Sequence, residues 1–235
     1  MKNLIKTFLK NYYQRIFLKK AIEKIKKYKT RSLSDLVDFC FKFHYGINLK
    51  YLSLSITPAQ IKEEILKLIK LLKKRKIKNL LEIGTADGGT LFLFSKIVED
   101  NGKIITIDLP NGYPKWREIL YKSFSEKNKK IFIIKSDSHD IKTYESVKKI
   151  LNGEKLDFVF IDGDHSYKSV KKDFETYVKL VKKGGLVAFH DIVKDERNYS
   201  GEVYKFWEKI KKRYKNFEIV KNKNQNGYGI GVIYV

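Results

Sequence analysis

The chain has 235 residues, 43% of them hydrophobic, and a formal net charge of +23 from 50 Lys and Arg against 27 Asp and Glu. That length and apolar content fit one α/β domain with extensions, and no apolar run approaches the ~18 residues of a membrane span. A single cysteine, Cys40, excludes an internal disulfide and a Cys-rich zinc site, and without a secretory apolar region a cytoplasmic location is expected.

In chain order, apolar residues from Ile5 through Phe8, Leu9, Tyr12, Ile16, Leu18, Ile22 and Ile25 to Tyr28 step mostly by three and four, which predicts an amphipathic helix over 3–28. Residues 1–30 carry ten Lys or Arg against one acid, Glu23. Such a helix can dock on the rest of the chain, pair two subunits into a homo-oligomer, or approach an anionic membrane surface; docking or dimer contact is the expectation. A second helix is expected over 34–43, then a loop over 44–57 with no period. Thr57-Pro58 reads as a cap and first-turn proline for a helix ending near Lys76. Residues 1–57 are thus a basic helical extension and 58–235 the main domain.

From there strands at 79–83, 103–108, 131–135, 156–161 and 185–190 alternate with helices at 88–100, 115–128, 140–151, 166–182 and 201–214. Two more apolar segments, 216–221 and 228–235, are close enough to pair antiparallel. Alternation of this kind means a doubly wound α/β fold: seven strands, mostly parallel, with helices on both faces.

Ligands of such sheets bind outside the carboxyl ends of the strands, and those ends carry the chemistry. The first strand runs into Glu82-Ile83-Gly84-Thr85-Ala86-Asp87-Gly88-Gly89, where glycines permit a tight turn and close ligand approach. The spacing differs from the G-x-G-x-x-G of dinucleotide binding, and Glu82 suits a cationic ligand better than a diphosphate; NAD is the lesser alternative. The second strand ends in Asp108, placed to meet ribose hydroxyls. The third ends in Ser136-Asp137-Ser138, the fourth in Asp162-Gly163-Asp164-His165, the fifth in His190-Asp191. Asp162 and Asp164 can equally form a turn or helix cap. Asp137 and Ser138 could cap the helix at 140–151, and Tyr113, Pro114 and Trp116 either wall the ligand or pack in the core. His44 and His139 read as surface or capping residues.

The glycine loop resembles motif I of class I S-adenosylmethionine (AdoMet) methyltransferases. The order D-G-D-H-S-Y, then Asp173, Leu180, Gly184-Gly185 and His190-Asp191, resembles the branch that includes catechol-, caffeoyl-CoA- and macrolide-sugar-type O-methyltransferases. The resemblance covers roughly 58–210. It implies the Rossmann-like methyltransferase fold and AdoMet contacts from Glu82, Gly84, Thr85, Ala86, Gly88, Asp108, Asp137, Ser138 and Asp162. Asp137 would accept the adenine amino group and Ser138 flank the ring. The resemblance further implies a divalent metal (Mg²⁺ or Mn²⁺) on Asp162 and Asp191, with His190 as a further ligand, and His165 as the base beside Asp162. Such an ion would lower the pKa of an acceptor hydroxyl. His190 departs from the acid usual there and suits Mg²⁺ poorly. The expected acceptor is a small-molecule or sugar hydroxyl. Two alternatives stand beside this. One is methylation of RNA or another nucleic acid, which the basic charge allows but no Asp/Asn-Pro-Pro-Tyr motif or K-D-K-E tetrad supports. The other is a non-catalytic AdoMet-binding module.

Overall fold

The computed structural model describes residues 16–46, 53–196, 200–222 and 224–235. Residues 3–15 of the expected N-terminal helix lie outside them. Its continuation, 16–27 (α1), is helical. Then follow α2 (Leu33–Lys42), a hairpin of β1 (His44–Gly46) and β2 (Ser53–Ser55), and α3 (Lys62–Lys74). The hairpin lies in the segment expected to be an unstructured loop. Strands of three residues are too short to show a period of two, so nothing in the sequence announces them. The α3 helix starts at Lys62 after Ile61, four residues past the expected cap at Thr57. Pro58 instead packs against Gly89, where a Cβ would come 2.6 Å from the proline nitrogen.

The remaining elements are β3 (Asn79–Ile83), α4 (Gly89–Ile97), β4 (Lys103–Asp108), α5 (Arg117–Lys122), β5 (Lys130–Lys135), α6 (Ile141–Leu151), β6 (Leu156–Ile161), α7 (Tyr167–Tyr177), β7 (Val181–His190), α8 (Val203–Ile210), β8 (Asn216–Ile219) and β9 (Ile230–Tyr234). Seven strands form one sheet in the order β5-β4-β3-β6-β7-β9-β8. The first five are parallel, β9 runs antiparallel to β7, and β8 antiparallel to β9. This is the doubly wound sheet that the alternation predicts.

The central strands are buried on both faces, which is why β3 and β6 read as nearly unbroken apolar runs. Leu80, Phe158, Phe160 and Ala188 share one core with Leu36, Val37, Leu68, Leu72, Phe92 and Phe94 of α2 to α4. Leu81, Val159, Val187 and Phe189 share the other with Val147 of α6, Phe174 of α7 and Trp207 of α8. Leu18, Ala21 and Ile25 of α1 belong to the first core, so the described part of the basic helix lies against the sheet's own helical layer.

The strand order fixes where a ligand can enter. The chain moves outward from β3 to β4 to β5, then returns to the other side of β3 as β6. The crevice between the carboxyl ends of β3 and β6 is therefore the topological switch point. There the Asp162 amide donates to the Ile83 carbonyl at 2.9 Å. A Cβ on Gly84, whose φ is +93°, would lie 1.9 Å from the Asp162 carbonyl oxygen, so only glycine lets the two loops meet.

Candidate active site

A cleft of about 390 Å³ opens at this switch point. Gly84 and Ala86 of the glycine loop, Asp108 after β4, Asp137 and Ser138 after β5, and Asp162 after β6 all line it. Six of the expected AdoMet contacts thus share one cavity. Three do not reach it. Glu82 is fully buried behind the loop, accepting hydrogen bonds from the Thr90 and Thr106 hydroxyls. Thr85 is buried beside it, with its hydroxyl 2.5 Å from that of Thr106. Gly88 is the left-handed residue before α4, and a Cβ there would strike the Tyr121 ring at 2.4 Å. These three set the shape of the loop from behind. Burial pushes the Glu82 carboxyl up to about 8, with the Asp162 and Asp108 charges adding to it and the two threonine hydroxyls opposing.

Asp108 does two jobs. Its Oδ2 accepts from the Thr85 and Ala86 amides, both at 2.9 Å, and its Oδ1 from the Leu109 amide at 2.7 Å. The carboxylate therefore braces the glycine loop as well as facing the cleft. Gly112 crosses so close that a Cβ there would sit 1.9 Å from Asp108 Oδ1.

Asp162 joins the cleft to a second cluster. Its Oδ2 accepts from Gln60 Nε2 at 2.6 Å. Its Oδ1 lies 3.0 Å from His190 Nδ1 and 3.8 Å from His165 Nε2. Asp191 Oδ2 faces the same two rings, 3.3 Å from His190 Nδ1 and 3.4 Å from His165 Nδ1. Asp191 has a left-handed backbone (φ +62°), a conformation that Asp tolerates better than most residues and that turns the chain as it leaves β7. Burial pushes the Asp162 carboxyl up, but His190 and His165 outweigh it and hold the group below the ordinary range. His190 is 3% exposed; burial works against its charge, yet the two carboxylates raise it to about 10. It is a buried ring whose Nδ1 faces two aspartates and whose Nε2 has no hydrogen-bond partner among the described residues.

That geometry bears on the metal. Among the described residues, the group whose ligand atoms all lie within 4.8 Å of one another is Asp162, His165 and Asp191. His190, expected as a ligand, is not in that set. Its Nδ1 is committed to the carboxylates from the buried side, while His165, about one-third exposed, faces them from the open side. The three donors can hold a divalent ion with positions left over, and the imidazole favours Mn²⁺, Fe²⁺ or Zn²⁺ over Mg²⁺.

Gln60 escapes sequence reasoning, and Asp173 stands in the motif order without a role of its own. Gln60 is buried and anchors Asp162 from 102 residues away; no local pattern marks it. Asp173 is 1% exposed, lines the cleft, and accepts from the Ser138 hydroxyl at 2.6 Å. Its signal was available: Val170, Asp173, Phe174 and Tyr177 are the buried stripe of α7, so the acid sits where a core residue belongs. His139, expected as a surface or capping residue, lines the cleft, with Nε2 3.3 Å from Asp173 Oδ1. Asp164 accepts from the Ser166 amide, and Ser166 caps α7. Neither Asp137 nor Ser138 caps α6, whose cap position is Asp140. Tyr113 is buried in the core, edge-on to Tyr121, and Trp116 packs against that core. His44 is exposed, as expected.

Residues 81–192 match the family model described as a methyltransferase domain. That stretch, just under half of the chain, is what it shares with methyltransferase domains. The chain is 35% identical over 130 residues to "Tapetum-specific methyltransferase 1" of Arabidopsis thaliana, covering 54% of this chain and 52% of that protein. It is 30% identical over 125 residues to "Probable caffeoyl-CoA O-methyltransferase 3" of Dictyostelium discoideum, covering 52% and 47%. The chain thus spans about half the length of these relatives. Among solved structures, the chain superposes on an O-methyltransferase from Bacillus cereus in complex with SAH. The TM-score is 0.56 at 18% identity, covering 91% of this chain and 95% of that one. TomG, an O-methyltransferase from Streptomyces achromogenes in complex with SAM, gives a TM-score of 0.52 at 17% identity, covering 88% and 92%. These structural likenesses concern the fold. No helix among the described residues is long and apolar enough to cross a membrane.

Proposed function

We propose that this chain is an AdoMet-dependent O-methyltransferase that modifies a hydroxyl of a small molecule, with a sugar hydroxyl as the lead acceptor. The observation that carries the reading is the cleft's charge. In a chain of net charge +23, five carboxylates (Asp108, Asp137, Asp162, Asp164 and Asp173) line one cavity at the switch point, and among the described residues no Lys or Arg does. Such a lining favours a cationic ligand rich in donors. AdoMet brings a sulfonium, an ammonium, two ribose hydroxyls and an adenine amine. A diphosphate-bearing dinucleotide would be repelled. The relatives that resemble this chain carry methyltransferase and O-methyltransferase in their names.

AdoMet supplies an electrophilic methyl group, and the chain must make the acceptor oxygen nucleophilic. His165 is the group placed to take that proton. It lies at the open side of the Asp162–Asp191 pair, which orients its ring and stabilises the imidazolium that forms. His190 compensates the aspartates from behind. The residues 1–57 then serve as a docked extension to a catalytic domain of 58–235, in a cytoplasmic protein whose lysine-rich face is free to meet an anionic surface or a second subunit.

The test uses labelled AdoMet and a panel of hydroxylated acceptors, with calorimetry of S-adenosylhomocysteine. His165→Ala is expected to lower kcat by ~10²–10⁴ while leaving S-adenosylhomocysteine affinity unchanged, because His165 does not line the cofactor cleft. Binding of NAD but not S-adenosylhomocysteine would overturn the assignment.

A second reading rests on the three convergent donors. If Asp162, His165 and Asp191 hold a divalent ion, His165 is a ligand and the ion activates the hydroxyl. Mn²⁺ binding followed by electron paramagnetic resonance separates the two. A bound signal lost in both His165→Ala and Asp191→Asn supports the metal; full turnover in excess chelator rules it out.

A further inference from the structure

We propose that Asp173 is the residue by which the cleft recognises the 6-amino group of the cofactor's adenine, a role that rests on the AdoMet reading above. Three observations lead there. First, strand order sets the ligand's direction. Asp162 belongs both to the cleft and to the His165–Asp191 cluster, so the reacting end lies at β3 and β6. Asp108 ends β4, the next strand over, and Ser136 to His139 follow β5, two strands from β3. Strands are spaced ~4.8 Å apart, so the β5 end lies roughly 10 Å from the reacting end, the side on which the base must lie.

Second, the polar groups at that end are already sorted. Asp137, the position the family resemblance points to, is half-exposed, and its Oδ1 accepts from the His139 amide at 2.8 Å, closing its own turn. Asp173 is buried. Ser138 Oγ donates to its Oδ1 and His139 Nε2 faces the same oxygen, while the Tyr177 hydroxyl holds the Ser138 carbonyl at 2.7 Å. Ser138 donates to the carboxylate, and the His139 ring beside it also reaches the Ser169 carbonyl at 3.3 Å, so the carboxylate is held in place as an acceptor. Third, no hydrogen bond within the chain engages the other oxygen, Oδ2, among the described residues. A Cβ on Gly163 would sit 3.8 Å from it, so glycine leaves that edge of the carboxylate uncovered on the cleft wall. Burial raises the Asp173 carboxyl to about 6, with His139 opposing, a cost that a donor from the ligand offsets.

The experiment compares S-adenosylhomocysteine with S-inosylhomocysteine, in which an oxo group replaces the 6-amine. The wild-type protein is expected to prefer the adenosyl compound about tenfold or more, the scale of one charge-assisted hydrogen bond. Asp173→Asn, whose amide can donate to the oxo group, should erase or reverse that ratio, whereas Asp137→Asn should keep it. A purely structural role for Asp173 would weaken both ligands equally and leave the ratio intact. Should Asp173→Asn fail to fold, Ser138→Ala releases Oδ1 and is expected to lower the ratio. An unchanged ratio in Asp173→Asn, or its loss in Asp137→Asn instead, overturns the proposal. If neither compound binds the wild-type protein, it is the AdoMet reading that fails.

Discussion

Glu82 shows how a residue chosen for ligand chemistry can act through the protein instead. Its position before the glycine loop suggests a carboxylate facing a cation, but both oxygens are spent on Thr90 and Thr106 inside the sheet. The consequence is a pH dependence. Its ordinary value is 4.5 and its folded value about 8. Between those values the folded protein keeps a proton that the unfolded chain has released. The stability this confers is complete below pH 4.5 and lost as pH rises through 8. Glu82→Gln removes the titration while keeping the shape. Its melting temperature should therefore fall less than that of the wild type between pH 5 and pH 9, the gap opening from about pH 5 and reaching its full size near pH 8. His190, also raised, acts in the same direction but is present in both proteins, so the difference isolates Glu82. Parallel curves would mean that Glu82 is ionised in the folded state throughout.

At the scale of elements, periodicity found what periodicity can show. The strands β3, β4 and β6 stand where the apolar runs place them, because a strand buried on both faces must be apolar throughout. The acids and histidines at the strand ends fall on one edge because a parallel sheet gathers its carboxyl ends there. The remainder depended on contacts far apart in sequence. Gln60 reaches Asp162, Ser138 reaches Asp173, and Glu64 on the buried stripe of α3 accepts from the amides of Lys221 and Gly229. The exchange of His165 for His190 in the three-donor group is of this kind too: adjacent strand ends bring both rings to the same carboxylates, and only the geometry says which ring is committed from behind. The apolar stripe of α1 gives a direct test. Ile25 is 3% exposed in the shared core, so Ile25→Ala should cost about 2–5 kcal/mol of unfolding free energy. Lys26→Ala on the solvent face should change stability by no more than about 0.5 kcal/mol. Urea titration of the two variants measures both. Equal, small effects would mean that α1 is loosely attached and that its stripe serves another surface.

The whole molecule carries one sign of charge and the cleft the other. The excess of 50 cations over 27 acids is self-repelling across a surface on which many ion pairs, such as Lys148–Glu145 and Lys205–Glu202, are half-exposed and individually weak. Salt should therefore stabilise the fold. The screening length falls from about 30 Å at 0.01 M to about 10 Å at 0.1 M, and each kcal/mol of relieved repulsion should raise the melting temperature by roughly 2–4 °C for a chain of this size. The cleft should respond in the opposite direction. Its five carboxylates attract the sulfonium of AdoMet, whereas the thioether of S-adenosylhomocysteine is neutral. Calorimetry across the same salt range should show AdoMet losing more affinity than S-adenosylhomocysteine, so that the ratio between them shifts toward the product as ionic strength rises. Melts and binding thus move apart under one variable. If salt instead lowers the melting temperature, local ion pairs outweigh the net repulsion. If the two ligands respond to salt alike, the carboxylates of the cleft do not read the charge on sulfur, and the recognition of AdoMet rests on its nucleoside alone.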